Sequence, residues 1–435
     1  MKILKIELPN QPYKYVTENS KECDPQTAFV MTHQNSIYVE EAKKNKAHSI
    51  ITIDEIAEFF GVHKIKIIGI TGTNGKTTTA SAIYSFLLDL GYKVALQGTR
   101  GFFMNDGVCE GKTLTTPSVL NTYRHIYQAV SAGCEYFIME VSSHAIVQKR
   151  IEGLDFALKI LTNITQDHLD YHKSIEEYIH VKNSFFQDES KKLINRDEPK
   201  ASFNFKNAYT YGIENPATYR LMAYSLNDGS SGIIQHFQEI VPFTASLHGF
   251  FNLYNLMAAI SATHLVTDKS LEEIAEVVDN FAGVSGRMEQ VCAAPNVIVD
   301  FAHTPDGMQQ VLNAFKEKEL IVVFGAGGDR DRLKRPLMGR VAANLAKKVF
   351  ITSDNPRYED PQAIVDDILE GIEERSHVVV ELNRKKAIQM ALEAQNDEEV
   401  VVILGKGDEK YQIIYDEKFA FDDREVVKEL LRGRL

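Results

Sequence analysis

Cysteine is scarce in this chain of 435 residues, and the four present, Cys23, Cys109, Cys134 and Cys292, are scattered without a C-x-x-C pair. That spacing argues against a thiolate zinc site or a disulfide framework and fits a reducing cytoplasm. Positive charge is in deficit: 48 Lys and Arg stand against 60 Asp and Glu, a net charge of −12. Broad adhesion to nucleic acid or to an anionic membrane is therefore not expected, and an anionic substrate must be held by local basic groups and helix N-termini. No apolar run reaches the length of a membrane span, so no membrane insertion is expected. The opening MKILKIELPNQPYKY has no apolar core of the secretory kind. Internal repeats and low-complexity tracts are also missing. Tryptophan is absent, which has no bearing on function.

What is present is an ordinary globular composition, 44% hydrophobic and 25% charged, in a chain long enough for two to four domains with cores of their own. Three regions differ in texture. Residues 1–62 hold short strand-like pieces, Ala28–Met31 and Ser49–Thr52, and a helical piece near Val39–Asn45. Residues 63–286 alternate strands and helices, as in a mostly parallel sheet covered by helices. Buried strands are predicted at Ile65–Ile70, Lys93–Leu96, Tyr136–Val141 and Leu158–Ile164. Ser202–Pro242 reads as an irregular, strand-rich excursion, and Phe250–Leu265 as a helix with small residues for close packing. Residues 287–435 restart the rhythm, with strands predicted at Val297–Phe301, Leu320–Gly325, Lys348–Thr352, Val378–Glu381 and Val400–Leu404. The fold class is α/β in three domains: a small N-terminal α/β module, a central phosphate-loop sheet domain and a C-terminal Rossmann-like domain.

The strongest local signal is KIIGITGTNGKTTTASAIY, residues 66–84. A buried strand breaks into a Gly-rich loop, and Lys76 with three threonines opens a helix. Loop glycines let backbone N–H groups turn inward, and the helix N-terminus adds positive partial charge. Gly72, Thr73, Asn74 and Gly75 would cradle phosphates with Thr78. Lys76 would reach the β- and γ-phosphates, and the Thr77 hydroxyl would hold Mg²⁺. The strict G-x-x-x-x-G-K-[ST] pattern is not met, because Ile70 stands where its first glycine belongs.

Other polar groups follow predicted strands, where ligands of doubly wound sheets bind. Glu140 ends one such strand and suits a hard cation, although a surface glutamate reads the same way. In Asn163–His172, two His and two Asp within six residues could build a metal site or cap a helix. Lys182 lies in a helical segment, Ile175–Phe186, and by spacing alone is a solvated lysine. Gly325–Arg330, Asp354–Arg357 and Gly405–Glu409 are three charged loops after strands of the last region, a set that argues against plain surface turns.

Together these residues resemble the Mur ligases, the ATP-dependent amino-acid-adding enzymes of peptidoglycan synthesis. The markers are GTNGKTT (72–78), EVSSHA (140–145), TQDHLDYH (165–172), HGFFNLYN (248–255), GRME (286–289), DFAHTPD (300–306), GGDRDRLKRPLMG (327–339), DNPR (354–357) and GKGDE (405–409). The DNPR loop resembles that of members adding meso-2,6-diaminopimelate to UDP-N-acetylmuramoyl-L-alanyl-D-glutamate. One motif departs from the family: the usual GKGHE has Asp408 in place of its His.

The resemblance implies residue roles. Lys76 and Thr77 would hold phosphates and Mg²⁺, and Glu140 and His168 would be metal ligands. Lys182 matches a carbamylated lysine, a catalytic group whose carbamate bridges toward a second Mg²⁺. Asn255, Arg287 and Asp300 would contact ATP. Thr115, Thr116, Ser142, Gln148 and Arg150 would hold the muramoyl-dipeptide. Arg330, Asp354, Asn355, Pro356, Arg357, Gly405 and Glu409 would form the diaminopimelate site. The N-terminal module would hold the UDP end. A cytoplasmic monomer is implied, working through an acyl phosphate with release of ADP and phosphate. The alternatives are a relative that adds L-lysine, a folylpolyglutamate synthase-like ligase, a phosphate-loop ATPase switch, and a dinucleotide-binding oxidoreductase suggested by the Gly-rich turn at 325–328.

Overall fold

The computed structural model describes residues 6–7, 11–105, 107–112, 114–227 and 229–432. Much of the opening stretch read above for a secretory core, residues 1–5 and 8–10, lies outside the described residues, as do the last three of the C-terminal region.

The central sheet is built on one physical constraint. Lys66–Thr71 is apolar on both faces, so it is stable only with helices above and below and strands on either side. It runs parallel to Phe156–Leu161 on one side and Tyr136–Glu140 on the other. Val94–Gly98 and Lys192–Asn195 extend the parallel core outward. The helix Lys76–Asp89 covers one face together with Phe250–Val266, whose buried Ala258, Ala259 and Ala262 permit close approach. Burial thus explains why the latter helix is apolar nearly all round.

Ser202–Pro242 is more regular than its sequence predicts. Ala208–Gly212, Tyr219–Ser225, Ser230–His236 and Glu239–Ala245 continue the central sheet to eleven strands, the last pairs antiparallel. Exposed Met222, Tyr224, Ile233 and Ile240 obscure the alternation that would mark these strands as half-buried. Other strands end earlier than expected: Phe156–Leu161 stops before Asn163, whose side chain turns to the phosphate loop.

The N-terminal residues form a four-stranded sheet of Ile6–Glu7, Tyr15–Thr17, Thr27–Val30 and Ile50–Ile51. The following helix, Ile53–Phe60, opens on a Thr52–Glu55 capping box and ends at Gly61 in the left-handed region. This unit is packed on the central sheet: Val16, Val30, Ile53 and Phe60 share one apolar cluster with Ile67, Phe137 and Phe156.

The C-terminal sheet has six strands, in the order Glu289–Ala293, Asn296–Asp300, Val400–Leu404, Leu320–Phe324, Lys348–Ile351 and Val378–Val380. All but the first pair are parallel, with helices on both faces. On one face Arg384 and Asp423 form a fully buried pair, with nitrogen–oxygen distances of 2.8 Å, and Arg384 also donates to the Leu404 carbonyl at 2.9 Å. Asp423→Ala leaves that guanidinium buried without its counter-ion. We expect it to cost roughly 3–5 kcal/mol of C-terminal stability, read as a lower denaturation midpoint by circular dichroism. An unchanged midpoint would show that the pair contributes nothing to the fold.

Candidate functional site

One cavity of about 650 Å³ runs from the phosphate loop to the strand ends of the C-terminal sheet. Its walls include Thr73–Thr78 and Glu140 at one end and Arg330, Asp354, Asn355, Arg357, Gly405 and Glu409 at the other. Asn255, Arg287 and Asp300 lie along it, as do Thr115 and His168.

The phosphate loop is held open by its neighbours. Gly75 has φ 84°, and an added Cβ there would meet the Asn255 amide oxygen at 2.3 Å, so glycine is required. The Asn74 N–H donates to Asn163, and the Asn74 amide donates to Asp306 of the C-terminal region at 2.8 Å. Lys76 Nζ donates to the carbonyls of Gly72 and Thr73 at 2.8 and 2.9 Å. Burial lowers the Lys76 pKa, Glu140 and Asp167 oppose that shift, and Arg287 adds to it.

Glu140 is buried, not a surface residue, and its carboxylate is firmly placed. It accepts from the Thr77 hydroxyl at 3.0 Å, the Thr99 hydroxyl at 3.1 Å and the Thr99 N–H at 2.9 Å. Thr77 and Glu140 therefore present hard oxygens side by side, a donor set that fits Mg²⁺. His168 stands apart from that pair. It has φ 57°, and its ring lies 3.4 Å from Asp167 and edge-on to His144. Burial drives the His168 pKa down to about 3, so the ring is neutral at neutral pH and free to ligate.

Lys182 is the largest departure from its sequence reading. It is buried, and its amine donates to the Gly72 carbonyl at 2.8 Å. Lys76 donates to the same oxygen at the same distance, so the two amines are close neighbours behind the loop. Burial first, and then the Lys76 charge, push the Lys182 pKa well below the ordinary lysine value.

The residues expected to hold the dipeptide form one tied group beside the cavity. Thr116 donates to the Glu140 carbonyl at 2.8 Å and accepts from the Ser142 N–H at 3.0 Å. Arg150 donates to the Thr116 carbonyl at 2.9 Å and to Gln148 at 2.5 Å. Thr115 meets the Thr99 hydroxyl at 3.1 Å, which links this group to the Glu140 carboxylate. Of the set, Thr115 reaches the cavity wall; Thr116, Ser142, Gln148 and Arg150 stand behind it.

At the far end two loops brace each other. The Asn355 amide donates to Glu409 at 3.0 Å, while its oxygen accepts from buried Lys406 at 3.1 Å and from the Ile413 N–H at 2.9 Å. Lys406 also pairs with Glu409 at 3.1 Å. Buried Pro356 turns the chain so that Arg357, at φ 52°, donates to the Gly328 carbonyl at 2.7 Å. Burial lowers the Arg357 pKa, and nearby Arg330 lowers it further, so two guanidiniums share one end of the cavity. Along the cavity, Asp300 is buried and accepts from the N–H groups of Met288 and Ala302 at 2.7 and 2.6 Å. Arg287 stacks over the Phe301 ring at 4.2 Å, and Asn255 donates to Asn252 at 2.9 Å.

Sequence reasoning missed a junction centred on Asp167. This buried carboxylate lies 3.7 Å from Lys334 and 3.9 Å from His303, both from the C-terminal region. Burial works to raise its pKa, but the neighbouring His168, Lys334 and His303 and the His168 N–H outweigh it and hold it below the ordinary carboxylate range. The signal was inside the quoted motifs, in TQDH, DFAHTPD and GGDRDRLKRP, but no local pattern says that three distant segments converge.

A Gly-Lys-Thr loop at a helix N-terminus faces a second, charged pocket across one cavity, an arrangement suited to an enzyme that uses a nucleotide to join two substrates. Residues 70–263 match the Mur ligase middle domain, and residues 286–407 match the Mur ligase glutamate ligase domain. The chain belongs to the Mur ligase family. It is 53% identical to the UDP-N-acetylmuramoyl-L-alanyl-D-glutamate–2,6-diaminopimelate ligase of Wolinella succinogenes, over 95% of each chain. It is 51% identical to the enzyme of that name from Helicobacter pylori, over 96% of this chain and 95% of the relative. A solved structure of that name superposes with a TM-score of 0.67 at 28% identity, covering 99% of this chain and 97% of the other. The Mycobacterium tuberculosis folylpolyglutamate synthase, solved with ADP and AMPPCP, shares the fold at a TM-score of 0.65 and 16% identity, covering 81% of this chain and 91% of that one.

Proposed function

We propose that this chain ligates meso-2,6-diaminopimelate to UDP-N-acetylmuramoyl-L-alanyl-D-glutamate at the expense of ATP, forming a peptidoglycan precursor. The observation that carries the substrate is the braced pair of loops placing Arg357 and Glu409 across the cavity from the phosphate loop. The names of relatives sharing half of the sequence support it. Diaminopimelate carries a distal carboxylate and ammonium, whereas L-lysine carries only the ammonium. Arg357 pairs with the carboxylate and Glu409 accepts from the ammonium.

The γ-carboxylate of the D-glutamyl residue attacks the γ-phosphorus of ATP and ADP leaves. The amine of diaminopimelate then attacks the acyl phosphate carbon, and inorganic phosphate leaves. Anion must approach anion in the first step, and Lys76 supplies positive charge where repulsion peaks. Thr77 and Glu140 would hold Mg²⁺, which would supply further charge neutralisation. Gly72–Gly75 and Thr78 cradle the phosphates, and Asn255, Arg287 and Asp300 hold the rest of the nucleotide. Thr115 and the group of Thr116, Ser142, Gln148 and Arg150 position the dipeptide. Arg330 meets a second carboxylate of diaminopimelate, and Asp354, Asn355, Pro356 and Gly405 shape its pocket. His168 would be a further metal ligand. Burial and the Lys76 charge push the Lys182 pKa down and so favour the neutral amine, the form that adds to carbon dioxide with loss of a proton; its carbamate would give oxygen ligands beside the loop.

The chain works as units of 1–62, 63–286 and 287–435, and closure excludes water from the acyl phosphate. The enzyme works as a monomer. It works in the cytoplasm, as nucleotide substrates require, and engages neither nucleic acid nor the membrane. Among the described residues no helix is long and apolar enough to cross a membrane.

The test is phosphate release with the muramoyl-dipeptide over a panel of amino acids, for wild type and Arg357→Ala. Wild type should release phosphate only with both substrates and should prefer meso-diaminopimelate to L-lysine. Arg357→Ala should lose roughly 2–5 kcal/mol in kcat/KM for diaminopimelate, the cost of removing one partner of a desolvated pair, with little change in the KM for ATP. A wild-type preference for L-lysine would overturn the substrate while leaving the ligase.

A further inference from the structure

Away from the cavity, three metal-ligating side chains converge. His236 ends the strand Ser230–His236, and Glu239 begins its antiparallel partner Glu239–Ala245. The two residues face each other directly across the tight turn at 237–238. His264 lies in the last turn of the helix Phe250–Val266 and approaches the same point from the side. The Glu239 Oε2 atom is 3.5 Å from His236 Nδ1 and 4.0 Å from His264 Nε2, and the three ligand atoms all lie within 4.8 Å of one another. These separations are long for hydrogen bonds. The shortest matches what a shared cation needs, since two ligands at about 2.0–2.1 Å from a tetrahedral ion stand about 3.3–3.5 Å apart, and the others would close by about half an ångström or more on binding.

The surroundings prepare the imidazoles. The Tyr219 hydroxyl lies 2.7 Å from His264 Nδ1. When that nitrogen donates its proton to the tyrosine oxygen, Nε2 turns its lone pair toward Glu239, the outer-shell arrangement usual for a metal-bound histidine. The Tyr219 ring also stacks on His236, with centroids 4.4 Å apart and planes 8° from parallel. One buried tyrosine thus orients both rings. The C-terminus of the Phe250–Val266 helix adds negative partial charge. Glu239 is half exposed, so a cation here has an entry path and room for water in an open position.

We infer that His236, Glu239 and His264 form a binding site for a divalent transition cation of the zinc class. Two imidazoles and one carboxylate favour zinc, cobalt or nickel over Mg²⁺, which prefers oxygen ligands. The site is separate from the phosphate loop: nine residues of one helix, or about 13 Å at 1.5 Å per residue, separate His264 from Asn255 in the cavity wall. A bound ion pins the tip of the outer hairpin to the far end of the helix that lines the nucleotide cavity, and it takes no part in ligation.

The experiment is Zn²⁺ titration of the metal-stripped full chain by calorimetry, with Mg²⁺ in excess so that oxygen-lined sites are filled. Wild type, Glu239→Gln, His236→Gln, His264→Gln and Tyr219→Phe are compared, each checked by circular dichroism. Wild type should bind one equivalent and gain thermal stability. His236→Gln and His264→Gln should lose that equivalent, and Tyr219→Phe should bind about 10–100-fold more weakly. Glu239→Gln changes an exposed side chain without threatening the fold and should weaken binding at least tenfold. With Co²⁺, wild type should show the visible absorption of a low-coordinate ion, absent in His264→Gln. No saturable Zn²⁺ equivalent in wild type, or equal affinity in wild type and Glu239→Gln, would overturn the site.

Discussion

Lys76→Ala should abolish ATP-dependent ligation in a folded protein. The amine sits at the mouth of the loop, held by the carbonyls of Gly72 and Thr73. It lines the cavity, and partial enclosure strips it of much of its water, which strengthens its field on a transferring phosphoryl group. Loss of one such preorganised group costs at least ~10²–10³-fold in kcat. Here the cation also offsets repulsion between a carboxylate and a polyphosphate, so the loss should lie at or beyond the upper end. The fold should survive, because an alanine at the first turn of the helix Lys76–Asp89 leaves its buried face, Ile83, Phe86 and Leu87, untouched. The measurement is steady-state phosphate release with both substrates saturating, beside a circular dichroism melt. Turnover within tenfold of wild type would remove Lys76 from phosphoryl transfer.

Lys182→Ala should be nearly as damaging, and for a different reason. A buried lysine next to another lysine is costly as a cation. Neutral, it is a nucleophile for carbon dioxide, and the carbamate restores an anion where Lys76 supplies the opposite charge. The alanine variant loses that anion and leaves space beside the Gly72 carbonyl. A loss of ~10³-fold or more in kcat is expected, comparable to removing a preorganised electrostatic group. Short carboxylates such as acetate or formate should restore part of the rate by placing oxygens in the vacated space, and methylamine should not. Rescue separates a lost anion from a lost fold, because a collapsed site would respond to neither. Full activity without added acid would make Lys182 a structural lysine that only ties down Gly72.

Much of this protein was legible in its sequence because the decisive signals are local. A strand followed by GTNGKTT needs only chain direction and glycine at Gly75 to make a phosphate cradle, and β-branched runs such as Leu320–Phe324 and Val400–Leu404 can be little but buried strands. The order of the motifs pointed to the family before any contact was known. Where side chains depend on neighbours far along the chain, local pattern was silent. Lys182 reads as solvated in its own helix and is buried because the Gly72 loop closes over it, 110 residues away. Asp167 gains Lys334 and His303 only when the C-terminal sheet docks. Strands 208–245 hide behind exposed apolar residues, and His236, Glu239 and His264 meet only because a hairpin register and a helix end coincide. The sequence by itself determined the Gly-rich loop between strand and helix, the strand-end motifs and the α/β class, each written within a few residues where backbone geometry dictates the outcome. The tertiary structure alone decided burial, charge pairing and convergence across segments, because desolvation and Coulomb terms depend on distances in space that chain spacing does not encode.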